Sequence, residues 1–393
     1  MLCDWKAFGE LKDLAMEVID ASARLEGCLP SETARVIGDH LRLTNSYYSN
    51  RIEGYRAGIV EIEQALEGNF ASGESTHYAQ ELCVAHVNAE KALMAKMQQE
   101  SNANVAGVNN LCTIHKALYD GLSARHLFTH DINGFTRHPV LPGMLRDCRV
   151  EVGQGNAIGP TPEELPDYME NFGRVYDSAN FHGDERLIAM AASHHRLAWL
   201  HPFRDGNGRV CRLYSCLYMA RSGVNRANLW SLSRGLHRAK SEYMTILKAA
   251  DPDPHALKPQ SIPESRRIGD FCRFFIEVCL DQIQFMQNLL RMKEVEDRIE
   301  WIVERKIKTA KAKGETPLHP ASSRLLRALF MRGSIQRGEG PAILNVSEST
   351  YRRVLRQLTQ KRLVESGSQR APLRVAIPIQ AMPYYLPGVY KSM

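Results

Sequence analysis

The sequence has no unbroken apolar stretch of the roughly 18–20 residues that a membrane helix requires, so no membrane partner is expected. It has no CxxC pair, no internal repeat and no low-complexity tract. Its nine cysteines, at 3, 28, 83, 112, 148, 211, 216, 272 and 279, are odd in number and scattered, which argues against a disulfide framework or a structural zinc site. Cys211 and Cys216 read as packed thiols. The opening MLCDWKAFGELKDL carries acids early and lacks a basic region ahead of an apolar one, so no secretion signal is expected and the cytoplasm is the expected location.

What is present is ordinary for a globular protein: 393 residues, 44% hydrophobic and 24% charged, enough for two or three domains. The net charge of +6 is uneven. Residues 321–380 hold eleven Arg or Lys against three acids, a net of +8, which leaves about −2 for the rest. That asymmetry concerns the partners of the last segment.

Helical spacing dominates the first hundred residues. LKDLAMEVIDASARLEG is one helix, and Ser31 to about Glu53 is another that stops or kinks at Gly54. A further helix to about Glu67 and the run from His77 to Glu100 follow. LCTIHKALYDGL is a helix, RDCRVEVG alternates like a strand through Val150 and Val152, and GQGN is a turn. DERLIAMAASHHRLAWL places Leu187, Met190, His194 and Leu197 on one stripe; His194 reads as packed and His195 as a surface residue. A second apolar helix, RVCRLYSCLYMARSG, ends at Gly223.

Between these two helices lies HPFRDGNGRVCR, His201 to Arg212. Gly206 and Gly208 bracket Asn207, so adjacent backbone N–H groups form an anion nest, and a helix opening there adds its positive end. Arg209 and Arg212, three apart, share one face of that helix and can grip phosphate oxygens bidentately. Asp205 is a hard oxygen ligand suited to Mg²⁺, and His201 is a titratable base. A polar surface loop would account for any one of these groups; six complementary ones in twelve residues point to a polyphosphate site.

The same run resembles the Fic family signature HPFx[D/E]GNGRxxR and matches it at every defined position. The resemblance implies a mainly α protein: a Fic-type helical core with a β-hairpin flap, then a helical linker and a winged helix-turn-helix domain. The expected divisions are 1–105, 106–255 with the flap at about 138–160, 256–312 and 313–393. It also implies transfer of AMP from ATP to a Ser, Thr or Tyr hydroxyl of a target protein, with self-modification. In that reading His201 is the catalytic base, and Asp205 holds Mg²⁺ or Mn²⁺. Arg204, Gly206, Asn207, Gly208, Arg209, Arg212 and Tyr243 contact ATP. Where the family's closing segment has a second tyrosine, this chain has Met244, which bears on base preference.

SNRIEG, Ser49 to Gly54, is similar to the inhibitory signature [S/T]xxxE[G/N] of family members that carry their own inhibitory helix. Ser49 and Glu53 are then the inhibitory pair. Read without the core behind it, the hexapeptide is only a solvated Glu on a helix capped by Gly54. AMP removal with Glu53 activating water, or transfer of UMP, phosphate or phosphocholine, remain alternatives on the same fold.

The helix QNLLRMKEVEDRIEWIVERKIKTAKAKG, with Leu290, Val295, Ile299 and Ile302 on one side, could pack on the core or pair with a second copy in a homodimer. After it, SRLLRALFMRG, a Ser347-capped helix and LVESGSQRAPLRVAI look like a winged helix. Arg352, Arg353 and Arg356 on its second helix are the candidate DNA contacts, although such domains also bind proteins. A third reading follows: a DNA-binding regulator whose Fic core acts as a sensor.

Overall fold

The computed structural model describes residues 9–100, 102–130, 137–149, 151–152, 157–251 and 265–390. They form two compact units, neither continuous in the chain. The first runs to Ser22 and takes Arg42–Arg226 and Ser231–Gln282; the second takes Ala23–Leu41, Ala227–Trp230 and Ile283–Met393.

The chain opens with α1 (Gly9–Gly27), α2 (Ser31–Ile52), α3 (Ile59–Leu66), α4 (Glu74–Gln99) and α5 (Val108–Tyr119). Two short antiparallel pairs follow, β1 (Phe128–His130) with β2 (Arg137–Pro139), and β3 (Glu151–Val152) with β4 (Ala157–Ile158). Then come α6 (Leu165–Val175), α7 (Glu185–Leu200), α8 (Asn207–Arg221), α9 (Leu232–Arg238), α10 (Lys240–Ala249), α11 (Ser265–Leu289) and α12 (Met292–Ala312). No described helix is long and apolar enough to cross a membrane.

The antiparallel pair α7–α8 is the centre of the first unit. Eleven of the sixteen residues of α7 and twelve of the fifteen of α8 are buried, so neither has a solvent face. Ala189, Ala191 and Ala192 keep α7 slim enough for neighbours to approach, while each buried Leu or Ile contributes roughly 1.5–3 kcal/mol. This burial corrects the expectation for His195. It is fully buried, with Nε2 3.0 Å from the Leu247 carbonyl and 3.3 Å from Asp251 Oδ1. His194 is packed as expected: Nδ1 meets Ser215 Oγ at 2.8 Å and Nε2 meets the Tyr243 hydroxyl at 2.8 Å, which ties α7, α8 and α10 together.

Two further expectations change. The alternation over RDCRVEVG yields strand only at Glu151–Val152; Val150 and the GQGN turn lie outside the described residues. The long helix expected from Gln287 onward is broken between Leu289 and Met292. Arg291 takes an extended conformation there (φ −58°, ψ 126°), and the Arg298 guanidinium bonds the Leu289 carbonyl left without a helical partner.

In the second unit, α13 (Ser322–Arg332), β5 (Ser334–Ile335), α14 (Gly340–Leu344), α15 (Glu348–Gln360), β6 (Val364–Glu365) and β7 (Leu373–Val375) follow α12, and α16 (Met382–Tyr385) packs on α12. The strands form one antiparallel sheet in the order β5-β7-β6. Ser347 caps α15, its hydroxyl accepting from the Thr350 N–H. Tyr351, Val354 and Leu358 are buried, while Arg352, Arg353 and Arg356 are exposed on the opposite side.

Candidate active site

The site is built at the turn from α7 into α8. His201 ends α7 in the left-handed conformation (φ 46°, ψ 57°), which reverses the chain sharply. Phe203, fully buried, anchors the turn by stacking on His115 of α5 at 4.1 Å between centroids. Gly206 is also left-handed (φ 77°), and a Cβ there would stand 2.6 Å from Tyr119. No larger residue fits.

Asn207 opens α8, and both ends of its amide are spent on the turn: Oδ1 accepts from the Phe203 N–H at 2.9 Å and Nδ2 donates to the Phe203 carbonyl at 2.7 Å. Asn207 thus sets the shape of the turn. The first-turn N–H groups of α8 have no helical partner of their own and give this end a partial positive charge.

Tyr119 of α5 completes one wall. Its hydroxyl donates to Asp205 Oδ2 at 2.5 Å and accepts from Arg209 at 2.5 Å; Arg209 also lies 3.2 Å from the same carboxylate oxygen. Arg209 is fixed further by the faces of Tyr119 and Tyr55, 5.1 and 5.9 Å from its guanidinium carbon. Burial alone would raise the Asp205 carboxyl, but Arg209 and the Tyr119 hydroxyl outweigh it and hold Asp205 ionised.

Arg212, one turn on, is 2% exposed. Its Nε donates to Ser49 Oγ at 2.9 Å, and one terminal nitrogen donates to the Ser49 carbonyl at 3.0 Å and to Glu53 Oε1 at 2.6 Å. The end of α2 that carries these residues is itself secured. Lys240 Nζ takes the Ile52 carbonyl at 2.6 Å, and Gly54 turns the chain away at φ 97°. Burial pushes the Glu53 carboxyl up and the Arg212 charge and hydrogen bond pull it down further, leaving it below its ordinary value.

The His201 imidazole is lowered from its usual range, first by burial and then by the charge of Arg146, against a bond to the Ala198 backbone that raises it. These effects together favour the neutral imidazole, the form that can accept a proton.

The structure brings Ser49, Glu53, Asp205, Gly206, Asn207, Gly208, Arg209 and Arg212 into one connected cluster, with His201 at the start of the turn that carries it. Two further expected ATP contacts have partners of their own within the chain. Arg204 is paired with Asp147, and Tyr243 is buried with its hydroxyl on His194. Tyr119, His115 and Arg146 bond to groups of this turn, and the sequence did not single them out. Each sits on an element read only as a helix or a strand, and no spacing rule links it to the motif.

Among the described residues no cluster of three His, Cys, Asp or Glu exists that would form an all-protein metal cage. A single carboxylate, 39% exposed, fits a Mg²⁺ or Mn²⁺ ion held chiefly by the phosphates of a bound nucleotide.

Residues 107–219, which contain the whole turn, match the Fic/DOC family model. A protein adenylyltransferase Fic of Nematostella vectensis is 26% identical over 183 residues, 45% of this chain and 37% of that protein. Protein adenylyltransferase fic-1 of Caenorhabditis elegans is 36% identical over 91 residues, 22% of this chain and 16% of its own length. The matches thus span 37% and 16% of the length of these two curated relatives. Among solved structures, a Fic family protein from Desulfovibrio desulfuricans G20 superposes with a TM-score of 0.54 at 16% identity, covering 94% of this chain and 96% of that one. A Fic domain containing signaling protein from Bacteroides thetaiotaomicron VPI-5482 also scores 0.54, at 18% identity over 69% of this chain and 95% of its own. Motif, fold and family match agree: residues 107–219 are a domain of the Fic/DOC family.

Proposed function

We propose that the protein is an adenylyltransferase that moves AMP from ATP onto a Ser, Thr or Tyr hydroxyl of a target protein, itself included, and that Glu53 holds the activity in check. One observation carries the reading: a neutral imidazole, an N–H-lined turn, a carboxylate and two arginines meet at a single helix start, and one arginine is already taken by Glu53.

In the reaction the neutral imidazole of His201 takes the hydroxyl proton as the oxygen attacks the α-phosphorus. A new P–O bond forms, the bond from the α-phosphorus to the α–β bridging oxygen breaks, and pyrophosphate leaves. Charge growing on the phosphates faces the N–H groups of Gly206 to Gly208, with Arg209 and Arg212 toward the β and γ ends. A divalent ion held by Asp205 would neutralise the triphosphate. Asn207 supports the reaction through the turn, and Tyr243 through the α7–α8 seam.

While Glu53 occupies Arg212, the γ-phosphate lacks its strongest partner and meets a carboxylate instead, so ATP lies with its α-phosphorus misaligned. Incubating wild type, His201→Ala and Glu53→Gly with [α-³²P]ATP and a cell lysate tests the whole reading. Label on protein that requires His201 supports it, and no label from any variant refutes it.

The last segment supports a second activity. Three exposed arginines on one face of α15, beside a small antiparallel sheet in a +8 region, suit a winged helix that contacts duplex DNA. Arg352 is partly neutralised by Glu348 at 3.1 Å. Eight free cysteines among the described residues fit a reducing compartment such as the cytoplasm.

A further inference from the structure

Arg146 is 4% exposed, yet its guanidinium bonds are all to backbone carbonyls. Nε donates to the carbonyl of His201 at 2.8 Å. One terminal nitrogen donates to Cys148 at 2.8 Å, and the other to Pro160 at 2.6 Å and Leu200 at 3.4 Å. Its own N–H donates to the Pro202 carbonyl at 2.9 Å.

These carbonyls fall into two sets. Leu200 and His201 are at the C-terminal end of α7, where carbonyls lack helical donors and a cation is favoured. Cys148 and Pro160 flank the β3–β4 hairpin, one on each leg. A single planar cation therefore joins both legs of the hairpin to the turn that carries the catalytic imidazole, which five N–H donors in a rigid fork permit and an ammonium does not.

A second strut runs parallel to it. His115 Nδ1 accepts from the Gly143 N–H at 2.8 Å, and Nε2 lies 3.2 Å from the Asp205 carbonyl, so the segment leading into Arg146 is tied to the other side of the turn. Gly143 (φ 79°) is pressed so close to α5 that a Cβ would sit 3.1 Å from the Cys112 carbonyl oxygen.

The groups assigned to ATP are held independently, by Tyr119, Asn207 and Ser49. We propose that Arg146, seconded by His115, is a positioning residue for the acceptor side of the reaction. It fixes the hairpin against the His201 turn, so that a target segment paired along the hairpin edge presents its hydroxyl to the imidazole in register. This inference rests on the adenylyltransferase reading above.

The test uses full-length chains in the Glu53→Gly background, with Arg146 intact, changed to Lys or changed to Ala. The acceptor is the full-length His201→Ala chain added in trans together with lysate proteins, and [α-³²P]ATP is the donor. A fluorescent ATP analogue reports nucleotide affinity, and hydrogen exchange reports the amides of Glu151, Val152, Ala157 and Ile158. Arg146→Ala should lower transfer about 10²-fold, as a displacement near 1 Å would, with ATP-analogue affinity changed by less than about threefold. Exchange in the two strands should rise. Arg146→Lys should fall between, and it keeps the test open if the alanine protein does not fold.

Transfer and exchange both unchanged would overturn the proposal, as would a loss of ATP affinity in step with transfer. If the Glu53→Gly chain labels nothing at all, the adenylyltransferase reading is what fails. The exchange data then judge the brace alone: unchanged strands reject it, and faster exchange supports it.

Discussion

The Glu53 carboxylate lies so close over Gly208 that a Cβ on that glycine would stand 2.2 Å from Glu53 Oε1. The end of α2 therefore occupies the ground immediately above the first turn of α8, where a triphosphate would be received. The same oxygen is the one bonded to Arg212 at 2.6 Å.

Removing that carboxylate should free both the space and the arginine. Glu53→Gly is expected to raise AMP transfer by on the order of 10²-fold, chiefly through a productive nucleotide pose and only modestly through tighter ATP binding. Arg212→Ala in the same background should remove much of the gain. Initial rates of wild type, both single variants and the double variant would decide it. A Glu53→Gly protein no faster than wild type on any acceptor, itself included, would mean that α2 is not inhibitory.

The second expectation concerns His201 and Asp205. His201→Ala should reduce transfer by about 10²–10⁴-fold while leaving ATP binding largely intact. Because burial lowers the imidazole below its ordinary value, the base form persists to lower pH. The acid limb of the rate profile of the Glu53→Gly protein should then fall below the usual histidine range. An acid limb at or above that range would contradict a buried neutral base. Asp205→Ala should abolish activity and its dependence on divalent ions; high activity in excess EDTA would remove the metal role.

Glu90 of α4 is fully buried, with both carboxylate oxygens within 3.1–3.3 Å of Asn45 Nδ2 on α2, and burial pushes it up to about 7 despite Arg42 3.8 Å away. The folded-state value lies above the unfolded one, so the folded chain binds the extra proton. That stabilisation is complete below about pH 4.5 and is lost as the pH rises through about 7. Glu90→Gln should therefore raise the melting temperature more at pH 8 than at pH 5, by the equivalent of roughly 1–3 kcal/mol. Equal shifts at both pH values would show that Glu90 ionises normally.

For the last segment, changing Arg352, Arg353 and Arg356 to Ala should weaken duplex binding and flatten its log–log salt dependence by up to roughly three units. Titrations of wild type and triple variant against a DNA fragment at several salt concentrations measure this. Indistinguishable binding at low salt would identify a protein-interaction surface instead.

Local chemistry was legible in the sequence wherever function resides in adjacent residues. The turn from His201 to Arg212, the helices on either side, the stop at Gly54 and the Ser347 cap all follow from glycine placement, capping residues and apolar period, which act within a few residues of chain. The helix pattern misled for His195, because a helix enclosed on all sides presents no polar face for periodicity to detect, and for the long helix broken at Arg291. What only the tertiary structure decided is long-range pairing. Glu53 meets Arg212 across 159 positions, Tyr119 bridges to Asp205 across 86, and Arg146 reaches the His201 carbonyl across 55. No local propensity encodes such encounters. They arise when α2, α5 and the hairpin legs are packed around α7 and α8, where desolvation makes each buried charge find its partner or be excluded.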